Sequence, residues 1–233
     1  MNNLDDKKRA PSNSTLTTPI SGIKKEYRVS VDRITLTADC PLEVIDGKLS
    51  RWMKETHLFI PLSSGGFKVI EDNLADTPEQ VAFVEYTQFQ KNRIRIDFNP
   101  NHSMTTKGGQ WILSKIATLK NKKFSRCDVA FDIFNSPIIE KYRIFRPGTS
   151  SKYFLSAAGK PETIYYGAQK SEAQIRQYNK LVEQTKKRKT IPDNIKNWWR
   201  LELQLRGRKI SDYPQQVKSA LDNFIILGID DRF

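Results

Sequence analysis

The stretch TIYYGAQKSEAQIRQYNK, residues 163–180, admits two readings. As a hairpin, Thr163–Tyr166 and Gln174–Lys180 are strands flanking a Gly-containing turn. Strand side chains alternate, so the second strand then sets Arg176, Tyr178 and Lys180 on one face. As a helix, Ile175, Tyr178, Leu181 and Val182 make an apolar stripe and Tyr178 is a core residue. The pattern alone leaves both open. The hairpin makes Tyr178 a tyrosine between two cations, whose phenolate those charges favour. A phosphodiester approaching it would meet the same cations.

Outward from this stretch the chain alternates short strands with few helices. Upstream, Tyr27–Thr37 reads as a strand and Pro41–Glu55 as a helix. His57–Leu62 and Phe67–Ile70 form a hairpin, as do Val81–Gln88 and Arg93–Phe98, and Thr105–Lys120 is an amphipathic helix. A second series follows. Arg126–Phe134 is a strand, Pro137–Phe145 a short helix, and Tyr153–Ser156 with Thr163–Tyr166 short strands around Gly159. A polar helix runs to Lys189, Trp198–Arg206 is a strand and Pro214–Leu227 a helix. The order β-α-β-β-β-β-α thus appears twice, and Arg95-Ile96-Asp97-Phe98 resembles Arg200-Leu201-Glu202-Leu203. The expected fold is α+β: duplicated halves, about 26–122 and 123–233, forming curved antiparallel sheets with helices on one face and an open, charged face. Residues 1–25, rich in Asn, Ser, Thr, Lys and Pro, read as a flexible tail.

Composition narrows the chemistry. The 233 residues carry 39 Lys and Arg against 26 Asp and Glu, a net +13, which points to a polyanion such as nucleic acid. Two cysteines and two histidines, His57 and His102, supply neither a Cys-rich zinc site nor an HExxH helix, and no P-loop or GxGxxG occurs. No apolar run is long enough for a membrane helix and no secretory leader is seen, so a cytoplasmic protein is expected.

The outward strand positions carry the candidate site. Leu201, Leu203 and Leu205 face the core, while Arg200, Glu202, Gln204 and Arg206 face out. Asp128 and Asp132 alternate with Cys127, Val129, Phe131 and Ile133, and Arg93, Arg95 and Asp97 alternate with Ile94, Ile96 and Phe98. An ordinary solvated sheet face is also polar. Short carboxylates are nevertheless poor strand formers. Asp128, Asp132, Glu202 and Asp97 on rigid strands suit Mg²⁺ or Mn²⁺, and the arginines beside them suit phosphate. Neither Asp132 nor Glu202 is read as a core position, so alanine at either is expected to leave the fold intact. Arg93, Arg95, Arg200, Arg206 and the run Lys186-Lys187-Arg188-Lys189 are candidate DNA contacts.

Three blocks in order resemble the replication initiation factor family (Rep_trans), rolling-circle plasmid replication initiators and related relaxases of conjugative elements. They are Arg126-Cys127-Asp128-Val129-Ala130-Phe131-Asp132, the Tyr165–Lys180 stretch with its Tyr178-Asn179-Lys180 end, and Trp199-Arg200-Leu201-Glu202-Leu203-Gln204-Leu205. The resemblance covers about 126–206. It implies that 26–233 is a nicking domain in which Tyr178 attacks DNA to form a 5′-phosphotyrosine, with Arg176 and Lys180 positioning phosphate. It also implies a divalent metal held by carboxylates, with Asp132 and Glu202 first and Asp128 and Asp97 next. Origin DNA is the implied partner, with a host helicase and a homodimer as further implications. A non-catalytic single-strand-binding protein is the alternative, with Tyr165, Tyr166 and Tyr178 as stacking platforms.

Overall fold

The structure is a computed structural model. It describes residues 14–20, 23–39, 52, 59–63, 66–71, 80–86, 92–136, 142–222 and 225–228. Two compact units divide the chain, one built on Val31–Cys127, the other on Pro11–Ser30 with Asp128–Phe233. Two long strands, β2 (Ile23–Asp39) and β7 (Lys120–Phe134), contribute residues to both.

In the first unit, β3 (Phe59–Pro61), β4 (Phe67–Ile70), β5 (Gln80–Tyr86), β6 (Arg93–Phe98) and β2 lie side by side, each pair antiparallel. Alternation sorts their side chains. Leu36, Ala38, Phe67, Val69, Ala82, Val84, Ile94 and Ile96 make a dry core with Ile112 and Leu119. Each Val, Leu, Ile or Phe side chain here contributes about 1.5–3 kcal/mol when fully buried. A single turn, α1 (Pro100–Ser103), precedes α2 (Lys107–Thr118), which lays Trp111, Ile112 and Ile116 on this core. Thr106 caps α2 by accepting from the Gly109 amide at 3.1 Å. Gly108 permits close approach to β4, since a Cβ there would lie 2.4 Å from the Ile70 carbonyl oxygen. The helix expected over Pro41–Glu55 lies outside the described residues except for Trp52, which is buried edge-on to Trp111 at 6.0 Å.

In the second unit, β7, β12 (Trp198–Arg206), β11 (Ala173–Asn179), β10 (Pro161–Tyr166) and β9 (Ser151–Leu155) neighbour one another in that order. Residues 163–180 are therefore a hairpin. Thr163 pairs with Tyr178 and Tyr166 with Ile175, and Gly167 takes φ +84° in the turn. Ile164, Tyr166, Ile175, Leu201, Leu203 and Leu205 form one apolar face, covered by Val217, Ala220 and Leu221 of α4 (Tyr213–Asp222). Gln177 shares that face and receives the Tyr166 hydroxyl at 3.3 Å. The helix α3 (Lys180–Lys186) starts where β11 ends, capped by Asn179, whose side chain accepts from the Val182 amide at 3.0 Å.

An antiparallel α+β architecture is thus observed. Three local expectations are corrected. Tyr142–Phe145, expected in a helix, is strand β8, paired with β13 (Ile225–Gly228), which was expected to end the last helix. Tyr142, Ile144, Phe145, Ile225 and Ile226 are β-branched or aromatic, types that favour a ladder. Ser14–Ile20, inside the expected tail, is strand β1, paired with β2 from Ile23 to Val29, as its Thr and Ile content favours. The polar sheet face is not open at Asp97, Asp128, Asp132, Arg200, Glu202 and Gln204, all of which are buried.

Candidate functional site

The ladder between β11 and β12 sets Gln174 opposite Gln204, Arg176 opposite Glu202 and Tyr178 opposite Arg200. Directly opposed residues share a face, so these side chains lie together away from the leucines. Glu202 accepts from Arg176 Nη2 on both oxygens, at 3.1 and 2.9 Å, and from Gln204 Nε2 at 3.1 Å. Tyr178 Oη donates to Glu202 Oε2 at 3.3 Å and receives Lys180 Nζ at 3.4 Å. The Arg176 guanidinium stands 4.1 Å from the Tyr178 ring centre and Lys180 Nζ 5.5 Å. Lys180 also bridges to Glu183 at 2.6 Å, and Lys187 reaches Glu183 at 2.8 Å. Arg176, Tyr178 and Lys180 are therefore brought together as the hairpin reading requires.

The electrostatics differ from the sequence-based expectation. Tyr178 is 4% exposed. Burial, then the Glu202 carboxylate, raises its pKa well above the ordinary phenol value, outweighing the Arg200 and Arg176 charges that favour the phenolate. At rest the tyrosine is a neutral phenol. Burial works against the charge of Glu202 as well, but Arg176, Gln204 and Arg200 hold its carboxyl below the usual range. The same carboxylate and the phenol keep Arg176 firmly protonated against its own burial. Arg176 Nε is buried without a hydrogen-bond partner among the described residues.

Asp132 occupies the same face on β7. Its Oδ1 accepts from Trp198 Nε1 and Arg200 Nε, both at 2.7 Å. Its Oδ2 accepts from Arg200 Nη2 at 2.8 Å and Arg28 Nη2 at 2.9 Å. Burial would raise its pKa, but Arg200, Trp198 and Arg28 hold it below the ordinary carboxylate value. Asp128 is buried on the same strand face. Asp97 lies in the first unit, paired with Arg33 and Arg95.

These pairings decide whether the carboxylates suit a metal. Mg²⁺ and Mn²⁺ need several oxygen donors converging with free lone pairs. Both oxygens of Asp132 and both of Glu202 already accept charged N–H donors, and no group of three His, Cys, Asp or Glu side chains comes together among the described residues. Asp132, Glu202 and Asp97 as arranged do not fit a divalent cation, because arginines stand where the cation was expected, and Asp128 joins no cluster of three such ligands among the described residues.

The candidate DNA contacts separate into two groups. Arg93 bonds Asp39 and the Asn121 carbonyl, Arg95 bonds Glu85 and Asp97, Arg200 bonds Asp132, and Arg206 bonds the Gln169 carbonyl at 2.6 Å. Their forks are engaged by the protein. Lys186, Lys187 and Arg188 are exposed, with Lys186 bridged to Glu162 at 2.9 Å, and Lys189 is half-buried. Sequence reasoning missed Arg28, Trp198 and Glu183, and placed Gln204 on the outward face without a role. For Trp198 the signal was present, since it sits two residues before Arg200 and so shares its strand face.

A stretch of 141 residues, 58% of this chain, is 30% identical to a replication initiation protein of Staphylococcus aureus, of which it covers 44%. Another S. aureus replication initiation protein is 30% identical over 149 residues, 61% of this chain and 46% of the relative. The chain spans less than half the length of the curated relatives it matches. Among solved structures, the rolling circle replication initiator protein from Geobacillus stearothermophilus matches with a TM-score of 0.51, covering 88% of each chain at 17% identity. No protein-family model matches the chain. The relatives and the shared fold bear out the resemblance to replication initiators.

Proposed function

We propose that this chain initiates rolling-circle replication by nicking and rejoining one DNA strand, with Tyr178 as the nucleophile. The observation that carries the reading is the Tyr178 hydroxyl held between the Glu202 carboxylate and the Lys180 ammonium, with Arg176 against its ring. Tyr178 Oη forms a bond to phosphorus and the bond to the 3′ oxygen breaks. The phenol proton passes to Glu202, and the leaving 3′ oxygen takes a proton from Lys180. A 5′-phosphotyrosine and a 3′-hydroxyl result. Attack by a 3′-hydroxyl reverses the step and rejoins the strand, so one phosphodiester is exchanged for another and no nucleotide cofactor is consumed.

The resting site opposes this proton transfer, since the phenol is held neutral and the carboxylate charged. An arriving phosphodiester changes the balance. It supplies acceptor oxygens for the orphaned Arg176 Nε, and Arg176 and Lys180 then share the charge that develops on phosphorus. These steps use side chains alone. Origin DNA is the substrate in this reading, and a host helicase and a homodimer follow only from the resemblance. The two units, each with a helix-covered apolar face and an ion-paired polar face, support the duplicated reading of 26–122 and 123–233.

The rival reading is a non-catalytic single-strand binder, although two of its three stacking platforms, Tyr166 and Tyr178, are buried. Incubation with end-labelled single-stranded DNA, with and without Mn²⁺, followed by denaturing electrophoresis separates the two. A fragment downstream of the cut, joined to the protein through its 5′ phosphate, is expected for the nicking enzyme. Binding without any covalent species would establish the rival.

A further inference from the structure

The edge of the second unit carries a feature that the nicking chemistry does not use. All five residues of β9 are exposed, and the large apolar side chains Tyr153, Phe154 and Leu155 are among them. Exposed aromatics in a row on a strand call for an explanation. The register supplies one. Thr163 pairs with both Phe154 and Tyr178, and Tyr165 pairs with both Lys152 and Arg176. Two rows therefore run across the same sheet face: Phe154, Thr163, Tyr178, Arg200, and Lys152, Tyr165, Arg176, Glu202. Phe154 and Tyr165 meet edge to face, with ring centres 5.7 Å apart, and Lys152 Nζ stands 4.9 Å from the Phe154 ring centre. Phe154 is 46% exposed, so a face of its ring is open to a ligand.

We propose that Phe154, backed by Tyr165 and Lys152, is a stacking platform for one unpaired base of the DNA strand that Tyr178 cuts. Resting on the nicking reading, it names the part of the substrate that aligns the strand. Single-stranded DNA is the occupant because its bases offer π-faces and its phosphates offer charge. Residues 146–170 carry Arg146, Lys152, Lys160 and Lys170 against Glu162 alone, a complementary field. Strands lie about 4.8 Å apart, so Phe154 stands two strands, about 10 Å, from Tyr178. At a stacked rise of about 3.4 Å that is about three nucleotides from the cut phosphate. A base held there sets the register of the phosphodiester over Tyr178.

The test is a coupling experiment on the full chain carrying Tyr178→Phe, so that DNA is bound and not cut. A fluorescent 12-nucleotide single strand is titrated by anisotropy, with abasic sites placed one at a time, against the Tyr178→Phe protein and the same protein with Phe154→Ala or Phe154→Trp. One abasic position is expected to weaken binding by about 5- to 150-fold when Phe154 is present. The same position should cost nothing further in the F154A protein, and F154W should restore the penalty. Circular dichroism checks that the variants are folded. Abasic penalties that are unchanged by F154A, or absence of single-strand binding, would overturn the platform. Adduct formation by the Tyr178 protein is read in parallel. An adduct without coupling rejects the platform alone, and coupling without an adduct rejects the nicking reading while the platform stands.

Discussion

Tyr178 Oη donates to Glu202 Oε2 at 3.3 Å, although the residue directly opposite Glu202 in the ladder is Arg176. The phenol reaches diagonally to a carboxylate that Arg176 already holds. Both groups therefore share one cation, while burial and the Glu202 charge keep the phenol neutral; in the proposed mechanism an arriving phosphate competes for that cation.

Replacing Glu202 with Gln should slow adduct formation by about 10²- to 10⁴-fold, the usual contribution of a positioned base. Affinity for single-stranded DNA should stay within about threefold, because Glu202 repels phosphate and does not bind it. Single-turnover gels and anisotropy titrations measure the two quantities. An unchanged rate would assign the proton to another acceptor.

Asp132→Ala should destabilise the protein by about 3–5 kcal/mol in urea denaturation, the cost of leaving a buried charge unpaired. Arg200 is 3% exposed and its guanidinium is bonded to Asp132 through two nitrogens. The sequence-based expectation of an intact fold on alanine substitution is reversed at Asp132 and at Glu202. Both are polar positions by alternation, yet both are buried in ion pairs.

Acid should weaken the junction between β11 and α3. Lys180 and Lys187 lower the Glu183 pKa to about 2 despite partial burial. The ordinary value is about 4.5, so the folded state binds this proton less readily than the unfolded one. The associated stability is fully present above about pH 5 and is lost as pH falls towards 2. Because Glu183 is partly exposed, solvent screening limits the gain to about 1 kcal/mol. Glu183→Gln should therefore lower stability at pH 7 and leave it nearly unchanged at pH 2.5, measured by urea denaturation at each pH. A loss of equal size at both values would contradict the assignment.

Single-strand affinity should fall steeply with salt. If about six phosphates are neutralised, log K should change with log salt at a slope of about −4. Neutralising Lys186, Lys187, Arg188 and Lys189 together should flatten that slope and weaken binding to all sequences alike, since phosphate contacts carry no base information. An unchanged slope would move the DNA path elsewhere.

Much of the site was legible because strand alternation is strict. The leucines of Trp198–Arg206 and the hydrophobic partners of Asp128 and Asp132 fixed which side chains share a face. Alternation does not tell what covers a face. The polar side was read as open, whereas Arg28 on β2, from about 100 residues upstream, closes over Asp132, and Lys180 and Glu183 of α3 crowd Tyr178. Such long-range pairing leaves no local pattern. For the same reason Asp132 and Glu202 looked like metal ligands, since their arginine partners lie on other strands. Tyr142–Phe145 was misread because so short a segment fits a helix or a strand, and its pairing with Ile225–Gly228 decided between them.

The central claim is that Tyr178 carries the DNA. The direct measurement is mass spectrometry of the peptide that retains a nucleotide after the wild-type protein is reacted with single-stranded DNA, nuclease-trimmed and digested. The account predicts a nucleotide mass on the peptide containing Tyr178, and none from the Y178F protein, which still binds DNA. A nucleotide on Tyr165, Tyr166 or any other residue, or an adduct that persists in Y178F, would contradict it.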